Sequence, residues 1–172
     1  MARQSPRIEL FCRSLAPSTG REQQDRIVQR LRTLDEASRI RGFEVVLCGE
    51  CVCPRAATAE TDPGERLLDR YDAFETWAEE TGRDLVGFEK RDTKSILTGT
   101  TVTGIVFPRL TLAEYRDGEL TFVAPSSDDG EQTTVADRLG DYEWGSVDGL
   151  SDEAQREPRA EDATVDQVEE EK

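Results

Sequence analysis

A chain of 172 residues, 35% hydrophobic and 34% charged, has material for one core of average size plus an extension, which excludes two full domains with separate cores. A formal net charge of −15 makes it a poor generic ligand for a phosphate backbone. Histidine is absent, which removes the commonest general base, the usual partner of a serine or cysteine nucleophile and most catalytic zinc arrangements.

The charge is unevenly spread. Residues 126–172 hold sixteen Asp or Glu against four Lys or Arg, whereas residues 1–125 hold twenty-one against eighteen. A segment so rich in acids, Ser and Gly buries too little apolar surface to offset its ordering entropy, so an acidic disordered tail is expected over residues 144–172, after an α/β domain over residues 5–143. Only three of the twenty-two basic residues are Lys. Two readings of that imbalance stay open: a salt-loving archaeal source, or codon bias toward Arg beside an ordinary acidic tail. The start, MARQSPRIEL, has no apolar signal region, and no apolar run is long enough to span a bilayer, so a cytoplasmic protein with no membrane partner is expected.

In chain order, RIELFCRSL (Arg7 to Leu15) alternates and is rich in β-formers, the pattern of a first strand. Thr19 to Glu22 has the form of a capping box, and Ile27, Leu31, Leu34 and Ala37 make the apolar stripe of a helix about five turns long. Gly42 falls where a left-handed residue would end it. FEVVLC (Phe43 to Cys48) is nearly continuously apolar, which predicts a strand buried on both faces. Asp62, Pro63 and Glu65 open a second helix with the stripe Leu67, Tyr71, Phe74 and Ala78, closed by Gly82.

Asp84 to Arg91 reads as a short strand or an extended connection, and RDTKSILTGT as an exposed loop. Alternating apolar residues on both sides of Asp117-Gly118 predict a hairpin with a type I′ turn. Pro108 cannot donate to a ladder and so marks a strand start, an edge or a bulge. Val135, Leu139 and Tyr142 are spaced for a short third helix.

This order of elements, with Pro108 and Asp117-Gly118 in FPRLTLAEYRDGEL, resembles the thioredoxin-like fold, a three-layer sandwich with a mixed sheet. The resemblance implies a cis-proline opening the third core strand at Pro108 and a turn to the fourth at Asp117-Gly118. Thioredoxin-like oxidoreductases carry Cys-x-x-Cys after the first strand, where the helix end lowers the thiol pKa. Here that loop is SLAPSTG, so the usual disulfide exchange is not expected.

The segments IELFCRSLAPSTGREQQ, VCPRAA, AEYRDGEL and TVADRL resemble a haloarchaeal family often labelled helix-turn-helix. That label implies a DNA-binding regulator. A helix-turn-helix needs two helices joined by about three or four residues, and the strand Phe43 to Cys48 stands between the two main helices.

Cys48, Cys51 and Cys53 fall within six residues, and Cys12 could complete a four-thiolate zinc site, since parallel first and second strands would bring Cys12 and Cys48 to the same end. A reversible Cys48 to Cys51 disulfide is a second reading, and buried, inert thiols a third. The first helix carries Arg26 and Arg30 among six Arg between residues 21 and 41, either a nucleic-acid surface or intrahelical ion pairs such as Glu22 to Arg26. No catalytic residue and no required cofactor is identified, with zinc as the candidate metal. The resulting expectation is a non-enzymatic binding or regulatory module with a protein partner in preference to nucleic acid. The alternatives are a thiol- or zinc-responsive sensor and a DNA-binding transcriptional regulator.

Overall fold

The computed structural model describes residues 5–15, 19–52, 62–94, 96 and 99–145. The chain runs β1 (Arg7–Cys12), α1 (Arg21–Glu36), β2 (Phe43–Leu47), α2 (Asp62–Thr81), β3 (Asp84–Leu85), β4 (Glu89–Lys94), β5 (Thr101–Val106), β6 (Leu110–Arg116), β7 (Glu119–Ala124), β8 (Ser126–Asp128), β9 (Glu131–Thr133) and α3 (Val135–Trp144). The result is a mixed α/β architecture whose main sheet has the order β2-β1-β6-β7, with β1 parallel to β2 and antiparallel to β6. The expected tail lies, from residue 146 onward, outside the described residues.

β1 and β6 are the inner strands, and their alternation supplies both cores. Ile8, Leu10, Cys12, Leu110 and Leu112 face α1 and α3, where Ile27, Leu31, Leu34, Val135, Leu139 and Tyr142 cover them. Phe11, Ala113 and Tyr115 face the other way, onto Leu67, Tyr71, Phe74 and Trp77 of α2. Aromatic rings knit that second core: Phe11 meets Phe74 edge-on at 5.5 Å between centroids, and Phe88 meets Phe107 at 5.3 Å.

Several sequence expectations need correction. β2 is not buried on both faces. Among the described residues it pairs only with β1, at the sheet edge, and Val45 and Leu47 are exposed. Hydrophobicity alone does not distinguish an edge strand from a central one. The Thr19 capping box does not form: the N-cap is Gly20, in a left-handed conformation that takes no side-chain cap, and a Cβ there would collide with the Arg109 side chain. α1 ends early, with Ala37 exposed as its C-cap and the positive φ at Ser38 rather than first at Gly42. The exposed loop expected after residue 90 is in part a hairpin, β4 paired with β5. The cis peptide bond found among the described residues joins Ala124 to Pro125, and Pro108 sits between β5 and β6.

Other elements follow the sequence. Asp117 and Gly118 have φ of 52° and 89°, both positive as a type I′ turn requires. A second Asp-Gly, Asp129-Gly130, turns β8 into β9 in the same way, and that hairpin was legible from the dipeptide although the alternation around it is too short to see. α3 opens on a capping box in which the Thr134 hydroxyl accepts from the Asp137 amide.

Each face of the sheet buries one carboxylate. Glu9, on the α2 face, accepts two hydrogen bonds from Arg70 at 2.8 and 2.9 Å and an ion pair from Arg7. Glu114, on the α3 face, accepts from Arg116 at 2.8 Å and Arg138 at 2.7 Å. Burial works to raise the Glu114 carboxyl, but the charge of Arg138 and the hydrogen bonds of Arg138 and Arg116 outweigh it and leave the group below its ordinary value. A carboxyl lowered on folding adds stability above its unfolded value of 4.5, and loses it as pH falls through the folded one. Removing one partner of a buried pair strands the other, so Arg138→Ala should cost about 3 kcal/mol in urea unfolding near neutral pH. The deficit should shrink in acid, where Glu114 is neutral. A deficit independent of pH would assign the loss to the Arg138 stacking over Phe122 instead.

Candidate nucleic-acid interface

α1 turns Gln24, Ile27, Leu31 and Leu34 inward and leaves a polar face to solvent that includes Arg26, Gln29, Arg32 and Thr33. Its charges balance, four Arg against four acids. α2 carries seven acids against two Arg, and α3 three against one. Among the described helices, α1 is therefore the one that can approach a phosphate backbone without net repulsion.

The Arg residues named from sequence have different fates. Arg26 pairs with Glu22 at 3.4 Å and stays largely exposed. Arg30 is a strut between helices: it grips Glu143 through two hydrogen bonds of 2.6 and 2.8 Å and donates to the Ala136 carbonyl. The Arg30 hydrogen bonds hold the Glu143 carboxyl below its usual range. Arg32, another of the six Arg between residues 21 and 41, is exposed and has no partner among the described residues.

At the carboxyl end of the sheet, parallel β1 and β2 bring Cys12 and Cys48 together as expected, and the Cys48 amide donates to the Cys12 carbonyl at 2.9 Å. Both thiols are buried. Desolvation pushes Cys12 up to about 11, and desolvation together with the nearby Cys12 pushes Cys48 to about 12. Both shifts disfavour the thiolate, the form that acts as a nucleophile, near neutral pH. Cys51 is exposed, and Cys53 lies outside the described residues. Among the described residues no group of three or more Cys, Asp or Glu is placed to hold a metal. Pulsed alkylation followed by mass spectrometry should label Cys51 at least tenfold faster than Cys12 and Cys48 in the native protein. Equal rates would mean that the cysteine end of the sheet opens readily.

No helix among the described residues is long and apolar enough to cross a membrane. Neither a curated protein nor a solved structure matches the chain. A family model described as a helix-turn-helix domain matches residues 1–146. That match corrects the expectation of a protein partner in preference to nucleic acid, since helix-turn-helix domains bind nucleic acid through a helix. It extends over the whole α/β unit rather than over one helix pair: among the described residues, β2 intervenes between α1 and α2, and no two helices are joined by a turn of three or four residues. Over residues 1–146 the chain belongs to this helix-turn-helix domain family.

Proposed function

We propose that the protein is a cytoplasmic, DNA-binding transcriptional regulator that offers the outer face of α1 to the duplex. The observation that carries this reading is the family match over residues 1–146. The charge balance of α1 supports it, and so do the residue types on its outer face. Arg26 and Arg32 can meet phosphates, while Gln29 and Thr33 are of the kinds that bond base edges. With −15 charges overall, long-range attraction contributes little, and affinity must come from this local surface.

The four-stranded order β2-β1-β6-β7, with helices on both faces, supports reading the scaffold as thioredoxin-like. Nineteen Arg beside three Lys and an acid excess support a haloarchaeal origin. In a salt-rich cytoplasm phosphate contacts are screened, which shifts the burden of recognition onto base contacts.

Fluorescence anisotropy with a labelled duplex pool, across a KCl series, tests the reading. Binding should fall linearly on a double-logarithmic plot, and an Arg26→Ala, Arg32→Ala double variant should reduce the magnitude of the slope by about two. Absence of binding at every salt concentration, or an unchanged slope in the double variant, would remove α1 as the DNA-facing element.

A further inference from the structure

On the opposite face of the sheet from α1, the first turns of α2 and the strands β1 and β2 enclose a cavity of about 290 Å³. Its apolar wall includes Val46, Pro63 and Leu67 over the fully buried Phe11, and its polar wall sets Arg7, Arg66 and Arg70 beside the carboxylates of Glu9 and Glu44. Arg66 and Arg70 are the two basic residues of α2, a helix with seven acids, and both line this one cavity. Spaced four apart, they share a helix face, and Glu9 lies against Arg70 as an anion that offsets their like charge.

The partners of these three Arg differ. Arg70 gives Nε and one terminal nitrogen to buried Glu9, which leaves its Nη1 without a hydrogen bond among the described residues, and its guanidinium lies over the Tyr115 ring at 5.1 Å. Arg7 divides its two terminal nitrogens between Glu9 and Glu44. Arg66 is exposed and has no partner among the described residues. Glu9 thus orients the inner guanidinium, and Arg66 adds a second fork at the mouth that has no partner among the described residues.

We propose that this cavity is a binding site for a small organic carboxylate with an apolar body. Arg66 receives the carboxylate through paired N–H donors, Arg70 Nη1 adds a further donor, and the body lies against Val46, Pro63 and Leu67. Guanidinium matches a carboxylate in plane and bidentately, and the volume sits at the small end of ligand pockets, which suits a single ring or a short chain. The inference stands apart from the DNA-binding reading, since it uses no residue of α1.

Calorimetric titration of the full chain with phenylacetate, phenylethanol and sulfate tests it. Phenylacetate should bind saturably, and phenylethanol, which lacks the charge, and sulfate, which lacks the apolar body, should each bind at least about tenfold more weakly. Arg66→Ala, at an exposed position that leaves the fold intact by circular dichroism, should weaken phenylacetate by a similar factor. Equal binding by that variant, sulfate binding as tight as phenylacetate, or no saturation up to about 10 mM would each overturn the proposal.

Discussion

The structure depends on a constraint at its centre: β1 and β6 are buried on both faces, yet each carries a glutamate among its apolar residues. The antiparallel register pairs Ile8 with Glu114 and Glu9 with Ala113, so the two carboxylates lie at the same end of the strand pair and on opposite faces. A bare carboxylate there would cost several kcal/mol, and each is instead held by two Arg. Arg70 reaches Glu9 from α2, and Arg138 reaches Glu114 from α3, so each pair also ties a helix to the sheet. Apolar packing decides that helices cover both faces. The ion pairs constrain where along the strands α2 and α3 sit, because their hydrogen-bond geometry tolerates little sliding.

The two ends of the sheet differ in consequence. The carboxylate end is polar, rich in Arg and, on the α2 side, hollow. At the other end Cys12 is buried in the core under α1 and α3, Cys48 and Phe107 in the core under α2, and the Arg13 side chain donates to the Phe107 carbonyl at 2.6 Å. Burial raises both thiols there and disfavours their thiolates. The same low dielectric that penalises a thiolate strengthens the charge-assisted bonds of Glu9 and Glu114.

The candidate interface was only partly legible. The periodicity of Ile27, Leu31 and Leu34 gave α1 and hence its outer face, including Arg26. It could not show that Arg30 is taken by Glu143, a residue 113 positions away, because nothing local to α1 signals α3 as its neighbour. Arg66 and Arg70 were hidden for a related reason: on an acidic helix they look like routine ion-pair partners, and only the packing of α2 on β1 and β2 puts both at one cavity. Glu9 and Glu114 read as the polar half of an alternating strand until helices are placed over both faces.

Local physics in the sequence determined the helix α2 with its stripe and closing glycine, the third helix, the Asp117-Gly118 hairpin, and the parallel pairing of β1 with β2 that follows from a right-handed crossover. These depend on interactions a few residues apart or on a handedness rule, so periodicity and turn chemistry suffice. Only the tertiary structure decided that β2 is an edge, that Gly20 rather than Thr19 begins α1 under Arg109, that the cis bond is at Pro125, and which Arg are spent on buried carboxylates. Those outcomes are set by what arrives from distant parts of the chain, and a one-dimensional pattern carries no record of it.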